Sequence, residues 1–183
     1  MNWHRRRVLK TGTLMAGALA AGVWSRPGRA QASSVTKRIA LKNLHTPESL
    51  ELDYFRGDTY VPDALAAIEV LLRDYRNGEQ HPIDPPLLDY LYDVAMAVGV
   101  DPVFSVISGY RSPQTNAQLH EHSNGVARNS LHMQGRAIDV RLAGVDCAKL
   151  AGSALDLSRG GVGYYRKSDF VHLDTGFFRT WRG

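Results

Sequence analysis

The sequence predicts an α+β domain, on three observations: an alternating hairpin near its start, two apolar stripes at helical spacing, and a second half of short alternating strands. Helices and strands in separate runs, without strict βαβ alternation, point to a small, mostly antiparallel sheet packed with helices.

Taken in order, the chain opens on Arg5, Arg6 and Arg7, then Val8-Leu9-Lys10, an apolar stretch from Leu14 to Trp24, a break at Pro27-Gly28, and Ala30-Gln31-Ala32. A basic segment, a short apolar segment and a small-x-small site read as an export signal over residues 1–32, ahead of one domain at 33–183. The apolar segment is short and rich in Ala and Gly for a membrane span, with retention as an uncleaved anchor the alternative to cleavage. Paired arginines before Leu9 and Lys10 resemble a twin-arginine address for folded cargo, with His4 where Ser or Thr is usual. The leader holds six Lys and Arg and no acid, leaving sixteen basic and eighteen acidic residues in 33–183, a net charge of −2. The basic balance belongs to the leader, and a nucleic-acid partner loses its support. Cys147 is the only cysteine, so no intrachain disulfide forms; it reads as a structural thiol.

Lys37–Asn43 and Ser49–Phe55 alternate polar and apolar residues around His45-Thr-Pro47, a hairpin pattern. Leu65, Ile68, Leu71, Leu72 and Tyr75 repeat at helical spacing behind Pro62, and Arg76-Asn-Gly78 stops them. A second helix is expected over Pro86–Val98, ended by Gly99, then a strand at Phe104–Ser108 and a short helix from Pro113 to His120. His122–Asn129 reads as a polar loop. In Ala137–Leu142, Ile138, Val140 and Leu142 share one face while Asp139 and Arg141 share the other. Asp146–Leu157 is helical, and Val162–Tyr165 and Phe170–Asp174 are strands joined by a turn. Trp181 reads as core or C-terminal docking.

Two segments carry the chemistry: Ser130-Leu-His132-Met-Gln-Gly135-Arg-Ala-Ile-Asp139 and Asp169-Phe-Val-His172. His132, Asp139 and His172 are the donor types of a catalytic zinc site with an open position, and Asp169 is placed as the general base for its water. His172 lies between apolar Val171 and Leu173, so its side chain leaves the opposite strand face. Arg111, at a predicted strand end, can hold an oxyanion or a substrate carboxylate. Each residue alone also has an ordinary reading: a partly buried histidine, a capping aspartate, a solvated arginine. His120 and His122 read as surface or groove residues, and Tyr110, Tyr164 and Tyr165 as cleft or packing residues.

Ser130-x-His132-x-x-Gly135-x-Ala137-x-Asp139 with Asp169-x-x-His172 resembles the zinc peptidases of the D-alanyl-D-alanine carboxypeptidase and vancomycin-resistance dipeptidase superfamily, with their hedgehog-like fold. The match is closest to the YcbK-like murein endopeptidase branch. Ser108-Gly-Tyr-Arg-Ser-Pro-Gln-Thr-Asn116, Gly160-Gly-Val-Gly-Tyr-Tyr165 and Phe170-Val-His-Leu-Asp-Thr-Gly176 with Arg179-Thr-Trp181 are similar to the same branch. The resemblance implies Zn2+ on His132, Asp139 and His172, Asp169 as the base, and Arg111 stabilising the transition state. It also implies substrate or supporting contacts from Ser130 and Gln114, with Tyr110 a further candidate. The expected substrate is peptidoglycan in the periplasm, cut at a peptide cross-link by a monomer without stable membrane insertion. A D,D- or L,D-carboxypeptidase and a non-catalytic zinc-containing wall-binding domain are the competing readings; the spare carboxylate of Asp169 argues against the latter.

Overall fold

The hairpin leads into a wide sheet. In the computed structural model, residues 35–122 and 125–183 are described, all within the unit Ser33–Gly183. The expected signal at 1–32 lies outside the described residues. Strand β1 (Thr36–Asn43) pairs antiparallel with β2 (Ser49–Arg56), which carries the short β3 (Thr59–Tyr60) on its far edge. Helices α1 (Pro62–Leu71) and α2 (Pro85–Val98) follow, each with proline in its first turn, where a missing N–H costs nothing. Gly99 closes α2 in a left-handed conformation, φ 84°.

Strand β4 (Val103–Ser108) returns parallel to β1, and α3 (Pro113–His122) and a 3₁₀ turn (Leu131–Gln134) precede β5 (Ala137–Leu142). Helix α4 (Cys147–Leu157) is capped by Asp146, whose side chain accepts from Lys149 N at 2.9 Å. Strands β6 (Gly161–Tyr165), β7 (Phe170–Asp174) and β8 (Arg179–Arg182) finish the chain. The order across the sheet is β3-β2-β1-β4-β5-β7-β6-β8. Only β1–β4 and β6–β8 are parallel, so the α+β class and the mostly antiparallel sheet hold. The sheet is wider than a small one, with eight strands, because β3 and β8 extend both edges. Among the described residues no helix is long and apolar enough to cross a membrane.

The two sheet faces differ. Ile138, Val140 and Leu142 join Leu91, Val94, Leu150 and Ala154 in one apolar core beneath the helices. The Tyr90 hydroxyl donates to Ala154 O at 3.0 Å and ties α2 to α4. Asp139 leaves β5 on the other face, where loops, not helices, lie nearest.

Those loops are fixed by buried polar contacts. Asp74, between α1 and α2, accepts from Ser112 N at 3.0 Å and Ser112 Oγ at 2.8 Å, and Tyr110 N donates to Leu72 O at 2.8 Å. Burial works to raise the Asp74 carboxyl pKa, but hydrogen bonds from Thr115 and Ser112 hold it below the ordinary value. The segment after β4 is thereby pinned against the α1–α2 connection. Gly135 ends the 3₁₀ turn with φ 64°, and a Cβ there would lie 2.0 Å from Pro82 O. Gly135→Ala is therefore expected to cost more than the roughly 1–2 kcal/mol of a left-handed residue alone. A lowered Tm of the metal-free protein checks this.

Candidate metal centre and its cleft

One transverse row of the sheet builds the site. Asp139 on β5 faces His172 on β7, His172 faces Gly163 on β6, and Gly163 faces Trp181 on β8. Directly opposed residues on one sheet face are close enough for their side chains to meet. His172 Nδ1 lies 2.9 Å from Asp139 Oδ1.

His132 approaches from the 3₁₀ turn. Ser130 caps that turn, its Oγ accepting from His132 N at 3.3 Å. His132 Nδ1 donates to Gly109 O at 2.7 Å, while His132 O accepts from Arg111 N at 3.2 Å. The ring is held at Nδ1 and the backbone at its carbonyl, and Nε2 stands 3.2 Å from His172 Nδ1 and 3.4 Å from Asp139 Oδ1.

These three atoms test the fit of a metal. Ligand atoms of one tetrahedral ion with bonds of about 2.0–2.1 Å stand roughly 3.3 Å apart. The observed edges are 2.9, 3.2 and 3.4 Å, and all three residues are buried. The hydrogen bonds agree. His132 Nδ1 faces a carbonyl and His172 Nε2 faces Asp174 Oδ2 at 3.0 Å, so both outer nitrogens carry protons. The inner nitrogens are left as lone pairs converging with a carboxylate, an arrangement that asks for a cation. Two imidazoles and one carboxylate are a donor set suited to zinc.

The titration of the metal-free groups points the same way. Burial opposes charge on Asp139, but His132 and His172 hold its carboxyl far below the ordinary range. Burial also opposes charge on His172, yet hydrogen bonds to Asp139 and Asp174 push it up to about 9. His132 is shifted down, mainly by burial, and stays neutral. A proton on His172 thus stands where a metal ion would supply positive charge.

Asp174 was not singled out from the sequence, although it shares a strand face with His172 two residues on. It is fully buried and accepts from Gly161 N at 3.1 Å, Gly176 N at 2.8 Å and both terminal nitrogens of Arg179 at 3.0 and 2.6 Å. The carboxylate that orients His172 is therefore itself locked.

A cleft of about 590 Å³ opens over the three residues. Residues of the loop before the 3₁₀ turn line it, as do Tyr165, Phe170 and Trp181. Of its two readings, core or C-terminal docking, Trp181 follows the second: on β8 it pairs with Gly163, its ring is 5.1 Å from that of His172, and its indole N–H donates to the Tyr165 hydroxyl at 3.0 Å. Gly163 makes room for it, since a Cβ there would come within 2.5 Å of the indole.

The remaining candidates divide. Arg111 is buried and lines the cleft, with Nη2 3.8 Å from Asp139 Oδ2, and Ser130 lines it as well. Tyr110 and Gln114 do not: the Tyr110 hydroxyl donates to Glu79 at 2.8 Å in the loop behind, and Gln114 is exposed on α3. Asp169 also stands off the cleft, with φ 54° and its carboxylate 3.2 Å from Arg141 Nε. Its chain neighbours Ser168 and Phe170 both line the cleft. His120 and His122 bond to Val126 O and Gln118 O, apart from the three-residue cluster.

Comparison with known proteins adds a family. A family model described as peptidoglycan L,D-endopeptidase MepK matches residues 31–181. The chain is 40% identical over 179 residues to the peptidoglycan L,D-endopeptidase MepK of Escherichia coli (strain K12), covering 97% of each. It is 40% identical to the protein of that name from Shigella flexneri, again over 97% of each. With the probable peptidoglycan L,D-endopeptidase MepK of Haemophilus influenzae it shares 38% over 174 residues, 93% of this chain and 94% of that one. No solved structure matches the chain.

Metal uptake should displace the His172 proton. Zinc affinity is expected to rise with pH up to about 9 and then level, with proton release read by calorimetry in buffers of different ionisation heat. In the metal-free protein the sign is opposite. The stabilisation from charged His172 is complete below the ordinary histidine value of 6.5 and is lost as pH rises through about 9. Gly163→Ala is expected to displace Trp181 and shift its fluorescence, which is unambiguous in a protein of residues 33–183 because the other two tryptophans are Trp3 and Trp24.

Proposed function

This chain belongs to the family of the peptidoglycan L,D-endopeptidase MepK, and we propose that it is a zinc-dependent enzyme hydrolysing an L,D peptide bond in peptidoglycan cross-links. The observation that carries this reading is the convergence of His132 Nε2, His172 Nδ1 and Asp139 Oδ1 beneath an open cleft. A zinc ion held by those atoms supplies Lewis acidity to the scissile carbonyl and makes water nucleophilic at neutral pH.

The chain's own groups do the rest. Asp174 and Gly109 O hold the two imidazoles in the tautomers that leave the inner nitrogens free. Burial lowers the Arg111 pKa and Asp139 opposes that shift. The Arg111 guanidinium steadies the oxygen on which charge develops, a role suited to a desolvated cation. Asp169 takes a proton from the attacking water and passes it to the leaving amine. To act there its carboxylate leaves Arg141 and turns in between Ser168 and Phe170. Ser130 and the aromatic residues Tyr165, Phe170 and Trp181 contact the stem peptide.

A peptidoglycan substrate calls for an exported protein, and we assign the periplasm as its site and the twin-arginine pathway as its route, on Arg5, Arg6, Leu9 and Lys10. A monomer is sufficient, since all the proposed groups lie on one chain.

Digestion of cross-linked peptidoglycan, read by mass spectrometry of the muropeptides, tests the reading. Dimers should become monomers, chelator should stop this and zinc restore it. Loss of only a terminal residue would replace the endopeptidase with a carboxypeptidase; no change with zinc bound would leave a binding domain. Asp169→Asn is expected to keep the metal and lose about 10²-fold or more in kcat. His172→Ala should lose metal and turnover together. An Asp169→Asn protein with wild-type kcat would remove Asp169 from the mechanism.

A further inference from the structure

Arg111 is 8% exposed, yet its guanidinium has a single hydrogen-bond acceptor among the described residues: Asn116 Oδ1, 3.3 Å from Nη1. Its Nε is buried without a partner, and Nη2 stops 3.8 Å from Asp139 Oδ2, beyond hydrogen-bond distance. A buried guanidinium beside a buried carboxylate is drawn into a bidentate pair unless something else holds it. Such a pair would occupy Asp139, which faces the two histidines, and would use up the arginine's donors. A neutral acceptor at Nη1 prevents that collapse without cancelling the charge.

Asn116 also reaches the other way. It is 2% exposed on α3, and its Nδ2 donates to Ala127 O at 3.1 Å and Arg128 O at 3.0 Å. Ala127 belongs to the loop that lines the cleft. All the hydrogen-bonding atoms of the Asn116 side chain are thus engaged, one on the arginine and two bonds on the loop. Neither Asp nor Leu, both of similar size, reproduces that set: aspartate loses both donors and leucine has no polar atom.

We propose that Asn116 is a positioning residue that holds the Arg111 guanidinium off Asp139 and couples it to the 125–130 loop, so that substrate seated against the loop fixes the arginine at its working place. The inference rests on the endopeptidase reading above. Asn116 touches no reacting atom; it acts through Arg111.

A double-mutant cycle tests this on cross-linked muropeptides, with Asn116→Ala, Arg111→Ala and both together. Asn116→Ala should lower kcat about tenfold to 10²-fold, the scale of a misplaced catalytic group, with KM and zinc affinity within about twofold of wild type. In the Arg111→Ala background the same change should cost no more than about twofold, because the group it positions is gone. Full multiplication of the two losses, or wild-type kcat in Asn116→Ala, would overturn the proposal. Should Asn116→Ala not fold, Asn116→Asp takes its place in the cycle: it frees the loop and draws Arg111 into an ion pair, and must lose kcat only where Arg111 is present. A wild-type chain that cleaves no muropeptide would defeat the endopeptidase reading alone. The Asn116–Arg111 link would still be read by ¹⁵N NMR as slow rotation of the Arg111 guanidinium, and slow rotation persisting in Asn116→Ala would overturn it.

Discussion

Asp139 and His172 face each other across β5 and β7 with their polar atoms 2.9 Å apart, and both are buried. A buried carboxylate is costly unless paired, and two imidazole lone pairs beside it add no positive charge of their own. Arg111 stops 3.8 Å away, so the cation in contact with the carboxylate is either a proton on His172 or a metal ion. Register makes this unavoidable. A one-residue slip between β5 and β7 would send one of the pair to the helical face, among Val140, Leu150 and Val171. The apolar core that fixes the register is thus also what fixes the donor triangle.

The consequences spread outward through close approach. His172 needs an acceptor behind it, and Asp174 serves because the same strand face repeats every second residue. Asp174 needs donors, and Arg179 on β8 reaches it only because Gly161 has no side chain: a Cβ there would lie 2.3 Å from Asp174 Oδ2. Two residues on, Gly163 admits Trp181 in the same way. The parallel β6–β8 edge is thereby part of the site, bringing a cation to the orienting carboxylate and an aromatic ring to the cleft. On the opposite side the segment after β4 does matching work, since Gly109 holds His132 and Asp74 holds Ser112.

Legibility in the sequence followed the range of the interactions. Ala137–Leu142 and Phe170–Asp174 were readable to the residue, because alternation is local and the buried face is uniform. The faces of Asp139 and His172 came with them, and so did the metal candidates. β8 was not readable: it is four residues long, three of them polar, and exists by pairing with β6. Docking of Trp181 at the chain end was legible but its place at the cleft was not, since a tryptophan near a chain end has no face until its strand has a partner. Asp174 was readable in principle from its spacing to His172. Tyr110 and Gln114 flank Arg111 within one motif, yet strand-end geometry sends only the arginine to the cleft.

The direction of Asp169 is the sharpest case, because it depends on one backbone angle. Among the described residues Asp139 is the one acid lining the cleft, and it is committed to the donor triangle. Asp169, the base proposed above, sits between two lining residues. Its present orientation rests on a left-handed backbone, costing roughly 1–2 kcal/mol for a residue with a side chain, less for aspartate, which tolerates it best. Against that stands an ion pair with Arg141 in which the Asp169 side chain is 68% exposed. Pairs so open to solvent contribute about 0–1 kcal/mol. Two small terms of opposite sign leave the two orientations close in free energy. A bound substrate offering one new hydrogen bond, worth about 0.5–1.5 kcal/mol, is enough to choose between them. The turn that carries Asp169 thus needs no large rearrangement to bring its carboxylate to the cleft, and the sheet beneath it need not move at all.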